Sequence, residues 1–481
     1  MNNKNLKPLA LRGMLWSAID KFAVQSVSFV IGIVLARLLM PADFGLIGML
    51  SIFIAISGTF VDSGMGDGLV QKKDRTDDDY STVFVFNIVV SISVYFILFV
   101  SAPFIAEFYN MPQLVLLTRV LSINIVINSF AAVQRARLLI NVDFKAFAKV
   151  NVIASLSSGL IAVYFAYIGF GVWALVMQNI ISTSVNVALI SYQNKWKPSI
   201  KFSKDSFKKL FGFGSKLLLT SLVAKFIQEI SNLAIGKYYS ASSLGYYTKA
   251  KGFAELSSGT VTAILQRVTY PILASLQDDR EKMISVYRRL IRITTFFVFP
   301  VMTLISLLSY QIVIILLTEK WASVIVLLQW IVFARFFYPI SAINMNMLKA
   351  IGRSDLFMKV DFSKIPIVII ALAITIPIGV KAIVIGQVIT SCIAFFFNAY
   401  MPGKILGYGA LKQLKDMFPI FVAIGIMSIA VYVTLLFFDN LYIELVLGMT
   451  VGIGTYLFVC YLLKVEELFD VKKLLFKTKA K

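Results

Sequence analysis

No histidine occurs in the 481 residues, and cysteine occurs only twice. Without histidine the chain lacks the commonest metal ligand and the side chain best suited to acid-base work near neutral pH. Cys392 and Cys460 both sit inside apolar stretches, so neither a disulfide framework nor a CxxC metal site can be built, and both read as packing residues. No GxxxxGK[ST] phosphate loop is present, so no bound ATP is expected. Charge is scarce too, at 15% of residues, and its acidic share is small, with 25 Asp and Glu against 46 Lys and Arg. Catalytic residues, metals and cofactors are therefore all expected to be none.

What the chain has in abundance is apolar surface. It is 59% hydrophobic with a mean hydropathy of +0.83, outside the range of soluble globular domains. A bilayer-spanning helix needs roughly 20 apolar residues. Such stretches lie near 13–38, 44–64, 80–104, 113–134, 150–168, 171–192, 210–236, 244–275, 293–317, 321–348, 362–379, 382–401, 416–438 and 441–463. The fold class is thus all-α and integral to a membrane, with about fourteen transmembrane helices and no room for a large soluble domain. The first stretch continues through Leu39 without a small-residue processing site, and reads as an uncleaved first span.

The net charge of +21 could mark a nucleic-acid partner, but its distribution assigns it to topology. Most Lys and Arg fall in alternate connections, on the side of the two termini. The opposite side holds only Arg37, Lys237, Lys320 and Lys381. The positive-inside rule then places both termini in the cytoplasm and leaves no nucleic acid to explain.

A weak repeat recurs after about 200 residues. Ala36-Arg37-Leu38-Leu39-Met40-Pro41-Ala42-Asp43-Phe44-Gly45 parallels Gly236-Lys237-Tyr238-Tyr239-Ser240-Ala241-Ser242-Ser243-Leu244-Gly245, and Ser57-Gly58-Thr59 parallels Ser258-Gly259-Thr260. Parallel repeats are a recurrent transporter design. The expected organisation is two pseudo-symmetric six-helix bundles, 1–200 and 201–405, then an extra helix pair at 406–463 and a basic cytoplasmic tail at 464–481.

An ionised group deep in a bilayer costs about 2.5–3.5 kcal/mol, so such groups normally face a wet cavity and have partners. Seven deep cations stand against three anions: Lys21, Arg119, Lys225, Lys249, Lys251, Arg267 and Arg335 against Asp20, Glu229 and Glu255. Asp20 adjoins Lys21, while Lys225/Glu229 and Lys251/Glu255 are four apart and share a helix face. Each could be a structural ion pair, but pairing cannot absorb the excess. The excess points to an anionic ligand, and a pyrophosphate suits charge-assisted bonding by Lys and Arg. The three acids would orient the cations or bind a coupling cation. Lys216 and Lys364 lie close enough to the cytoplasmic ends to snorkel.

Other features have simpler readings. Asp77-Asp78-Asp79 precedes a span, where carboxylates cap backbone NH groups. Gly64-Met65-Gly66-Asp67-Gly68 reads as a turn. Lys472–Lys481 reads as a topological anchor, or as an interfacial helix on anionic lipid headgroups. Pro300, Pro339, Pro366, Pro377 and Pro419 fall within spans, where they kink helices for packing or for gating.

Leu35-Ala36-Arg37-Leu38-Leu39-Met40-Pro41-Ala42-Asp43-Phe44-Gly45-Leu46-Ile47-Gly48-Met49 resembles the first-turn signature of Wzx-type polysaccharide exporters. So does Val61-Asp62-Ser63-Gly64-Met65-Gly66-Asp67-Gly68-Leu69-Val70-Gln71-Lys72-Lys73-Asp74, with Ser81-Thr82-Val83-Phe84 opening the next span. Both look most like the teichuronic-acid and colanic-acid branch of the multidrug/oligosaccharidyl-lipid/polysaccharide (MOP) superfamily. The resemblance implies a V-shaped pair of six-helix bundles, alternating access, and flipping of an undecaprenyl-pyrophosphate-linked oligosaccharide from the cytoplasmic to the outer leaflet of a bacterial inner membrane. The partners it implies are lipid-linked oligosaccharide and membrane lipids, with H+ or Na+ as candidate coupling ions and glycan polymerase machinery as a candidate neighbour. Two rival readings are kept: a multidrug/cation antiporter of the same superfamily, which the cation excess disfavours, and a membrane-embedded glycan polymerase or ligase, which short external loops disfavour. A non-transporting scaffold would not need so many deep charges.

Overall fold

The computed structural model describes residues 6–469 except 63, 142 and 195, and leaves out the side chains at 6–15, 17, 18, 67, 213, 216, 217, 220, 257, 260, 264, 267, 268 and 354. The basic tail expected at Lys472–Lys481 lies outside the described residues. Those described form helices and one 3-10 turn, and no strand. Chain contacts divide them into two units, 1–248 and 249–481.

The first unit contains α1 (Leu6–Leu38), α2 (Pro41–Asp62), α3 (Met65–Gln71), α4 (Asp77–Tyr109), α5 (Leu114–Leu121), α6 (Ile123–Ser129), α7 (Ala132–Ile140), α8 (Phe144–Tyr167), α9 (Val172–Gln193) and α10 (Lys204–Tyr238), with the opening turns of α11 (Ala241–Ala274). The second contains the remainder of α11, α12 (Arg280–Leu307), α13 (Ser309–Leu317), the 3-10 turn Glu319–Trp321, α14 (Ser323–Ala334), α15 (Tyr338–Ala350), α16 (Ser354–Ser363), α17 (Ile365–Thr375), α18 (Val380–Leu406), α19 (Ala410–Leu435) and α20 (Leu441–Leu462).

Each expected span falls on one helix or on consecutive helical pieces. Among the described residues ten helices are long and apolar enough to cross a membrane, or eleven if the pair Leu114–Ser129 and Ala132–Ile140, bent by 41°, is one span. Large apolar side chains such as Phe96, Ile97 and Phe104 of α4 are exposed, as expected where lipid is the solvent. Two of the expected prolines explain breaks. Pro339 and Pro366 stand in the first turns of α15 and α17, where a missing N–H costs no helical bond.

Local sequence sets the helix starts. Thr76 accepts from the Asp79 backbone N, and the Asp79 carboxylate accepts from Thr76 N at 2.9 Å, a capping box. Asp79 is fully buried and also takes Lys72 Nζ at 2.5 Å. Of the three consecutive aspartates, the third therefore does the capping, from inside the helix. Thr76→Ala is expected to cost about 1 kcal/mol. Asp79→Ala should cost more, because it also strands the Lys72 ammonium. Thermal unfolding in detergent measures the order, and equal losses would refute it. The glycine-rich stretch proves to be more than a turn. Gly64 adopts φ 66 and launches the short helix α3.

Within the first unit α1 packs on α8, and α10 packs on α2, α3 and α4. The α1–α8 seam sets Ile31, Leu35 and Leu39 against Ala162 and Ala166, small residues of the kind that allow close helix approach in membranes. The repeat boundary expected near 200 and the packing boundary at 248/249 therefore differ: α10 and the start of α11 pack with the helices that precede them.

In the second unit α12 packs on α14, α15, α19 and α20. Phe299 stacks on Phe336 with centroids 4.5 Å apart. Helix α20 and the segment that follows it are tied to α12 through polar contacts. Tyr456 OH donates to Phe296 O at 2.8 Å, and Arg292 meets Glu466 at 2.9 Å and Glu467 at 2.5 Å.

Candidate functional site

The first unit contains a cavity of about 440 Å³ between the end of α2, α3, α4, α7 and α10. Its polar lining includes Asp62, Asn87, Arg135, Lys225 and Gln228. Among the described residues, Lys225 is the sequence candidate on its lining. The shared face with Glu229 does not become an ion pair, because Lys225 Nζ instead donates to Gln228 Oε1 at 3.3 Å.

Glu229 ties α10 to α2. Its Oε2 accepts from Ser51 Oγ at 2.9 Å and from Asn232 Nδ2 at 2.5 Å, while Asn232 also donates to Ser51 Oγ at 3.0 Å. Asp20 is likewise held by a neutral donor, Asn151 Nδ2, at 3.2 and 3.3 Å, and its neighbour Lys21 is exposed. Arg119 does not line the cavity. Its guanidinium lies 4.2 Å from the Phe99 ring centroid, a cation–π contact between α5 and α4.

The second unit holds the other candidates. Arg335 Nη2 approaches Glu255 Oε2 at 3.6 Å and also lies over the Tyr338 ring. The acid expected to pair four residues along its own helix thus meets a cation from the α14–α15 break. Lys249 Nζ lies 5.7 Å from the centroid of the buried Trp321 ring, and Lys251 is half-buried. The side chain of Arg267 lies outside the described residues.

The sequence reading missed Arg135. It stands at the start of a basic run, 135–149, which the topology count assigned to a cytoplasmic connection, whereas α7 carries it to the cavity wall. Its Nη2 donates to Asn128 Oδ1 at 2.6 Å and to Asn186 Oδ1 at 3.2 Å. Asparagines at 128, 151 and 186, inside or beside apolar spans, were the available signal, since a buried amide needs a partner. With two cations against the single Asp62 carboxylate, and with several amide and hydroxyl groups, the cavity keeps a positive balance and can bind an oxyanion through charge-assisted hydrogen bonds.

The chain matches the polysaccharide biosynthesis protein family over residues 34–326. It is similar to the lipopolysaccharide biosynthesis protein WzxC of Escherichia coli (strain K12), 25% identical over 403 residues, which cover 82% of this chain and 81% of that protein. It is also similar to the teichuronic acid biosynthesis protein TuaB of Bacillus subtilis (strain 168), 23% identical over 348 residues and 72% of each chain. Among solved structures, the lipid II flippase MurJ in its inward closed conformation matches with a TM-score of 0.76 over 93% of this chain and 98% of that one. The identity is 15%, a likeness of fold. These matches agree with the signatures at 35–49 and 61–74, and with more than half of its length inside the family match, this multi-pass membrane protein belongs to the polysaccharide biosynthesis protein family.

Proposed function

We propose that the protein is a flippase. It moves an oligosaccharide linked to a polyprenyl diphosphate, of the undecaprenyl-pyrophosphate class, from the cytoplasmic to the outer leaflet of a bacterial inner membrane, without covalent chemistry. The observation that carries this reading is the cavity lined by Arg135 and Lys225 in a chain of this family. A diphosphate is the part of such a substrate that most needs cations, and alternating access is the mode of transport proposed. Positive-inside asymmetry supports cytoplasmic termini and, with them, a cavity in the cytoplasmic half, beside the Lys72–Arg75 and 135–149 segments. Asp20 and Glu229, which accept from amide and hydroxyl groups, are the carboxylates this reading offers to a coupling H+ or Na+. Glycan polymerase machinery would consume the flipped product. A cation antiporter fits less well, since its substrate calls for an excess of carboxylates.

The test is leaflet-resolved accumulation of lipid-linked oligosaccharide in cells depleted of the protein, then supplied with wild type or Lys225→Ala. The expected result is intact oligosaccharide-lipid trapped on the cytoplasmic leaflet, released by wild type and at least tenfold less by the variant, the effect of one lost charge-assisted bond. Accumulation on the outer leaflet, unpolymerised, would move the function to polymerisation and refute the flippase.

A further inference from the structure

Four side chains from four helices form one hydrogen-bonded line from Asp20 to Arg135 at the cavity, and a fifth, Asn128, shares the same guanidinium nitrogen. Both oxygens of Asp20 on α1 accept from Asn151 Nδ2 on α8. Asn151 Oδ1 accepts from Asn186 Nδ2 on α9 at 2.9 Å. Asn186 Oδ1 accepts from Arg135 Nη2 on α7, and the same nitrogen donates to Asn128 Oδ1 on α6. Of the five, Arg135 is the one that lines the cavity.

The two ends dictate the middle. A carboxylate only accepts, a guanidinium only donates, and an asparagine side chain offers one face of each kind. With the acceptor at one end and the donor at the other, the two intervening amides have a single satisfied arrangement, nitrogens toward Asp20 and oxygens toward Arg135. The charge on α1 thereby fixes which atom meets a guanidinium three helices away, and each bond polarises the next. The grip is also selective within Arg135. Nη2 carries two of the five donors, and both go to the amide oxygens of Asn128 and Asn186. The three donors on Nε and Nη1 take no part in the relay, and they suffice for a two-pronged hold on a phosphate.

We propose that Asn151 and Asn186 are positioning residues that aim Arg135 at the diphosphate of the lipid-linked substrate, with Asp20 setting the sense of the relay. This rests on the transport reading above. A merely structural tie would affect stability while leaving Arg135 and ligand binding uncoupled. The discriminating measurement is a double-mutant cycle on the full chain in lipid nanodiscs, with undecaprenyl diphosphate as the probe. Arg135→Gln and Asn186→Leu are each expected to weaken binding about tenfold, as for one lost hydrogen bond to a charged group. The double variant should bind no more weakly than Arg135→Gln, because the second change acts through the first residue. Asp20→Asn keeps the size of the side chain but no longer forces the amide orientation. It should weaken binding in the wild-type background and not in Arg135→Gln, and it serves if Asn186→Leu does not fold. Additive losses, or unchanged affinity in the single relay variants, would overturn the inference while leaving the transport reading intact. No binding by wild type would overturn both.

Discussion

Gly45→Ala and Gly245→Ala are each expected to separate the first turns of α2 and α11 and to stop translocation. A Cβ on Gly45 would lie 1.7 Å from Ala241 O and 2.5 Å from Ala241 C, and a Cβ on Gly245 would lie 1.9 Å from Pro41 O and 2.7 Å from Pro41 C. The obstacle in both cases is backbone, so no side-chain rotation relieves it and the helix ends must part. Overpacking costs about 1–3 kcal/mol where neighbours can adjust, and a clash of backbone with backbone belongs at the upper end. A direct readout is disulfide formation between cysteines introduced at Gly48 and Leu244, since a Cβ at Gly48 lies 3.1 Å from the Leu244 side chain. The Gly245→Ala background should lose that cross-link. Gly58→Ala is the control, with nothing within 4 Å of the added carbon. Wild-type cross-linking and transport in Gly245→Ala would refute the expectation.

The second large effect concerns the other unit. Tyr287, Asn344 and Gln413 are fully buried and satisfy one another across α12, α15 and α19. Tyr287 OH donates to Asn344 Oδ1 at 2.5 Å, Asn344 Nδ2 donates to Gln413 Oε1 at 3.2 Å, and Gln413 Nε2 donates to Tyr287 OH at 3.1 Å. Asn344→Leu leaves a phenol without an acceptor and an amide oxygen without a donor. At about 1–3 kcal/mol per stranded group, the expected loss is about 2–6 kcal/mol. Denaturant unfolding in detergent measures it, and the double variant Asn344→Leu/Gln413→Leu should lose less than the two singles together, because the groups form one network. Since Gln413 lies on α19, earlier tryptic cleavage at Lys412 or Lys415 should accompany the loss. Unfolding of Asn344→Leu at the wild-type midpoint would show that the triad contributes nothing.

Hydropathy made the helical architecture legible, because every spanning segment must be apolar over most of its length. The places where spans break were less legible. The bend after Ser129 and the break at Arg335–Phe337 arise where short helices meet, and periodicity alone does not mark such joints. For the cavity, charge counting found Lys225 because an ammonium deep in a span stands out. It passed over Arg135, which was counted with its basic neighbours, and over Asn128, Asn151 and Asn186, which carry no charge. Pairing was the least legible of all. Local spacing offered Glu229 a lysine four residues away, whereas its partners include Asn232, three residues away, and Ser51, 178 residues away in sequence. A long-range partner is a property of packing, and one sequence does not encode it in its spacing.

The contact between Pro41–Gly45 and Ala241–Gly245 is reciprocal: each segment's glycine faces the other's first backbone carbonyl, at positions 200 apart. That is the geometry of an isologous interface, in which patch i meets patch j and j meets i. A half-length chain carrying one copy of this segment could form it with a second molecule of itself. Joined in a single polypeptide, the two copies meet at an effective concentration set by the intervening chain, not by expression level. The same reciprocity links their histories: a side chain gained at either glycine meets the backbone opening the other helix, so neither position is free to drift while its counterpart stays in place.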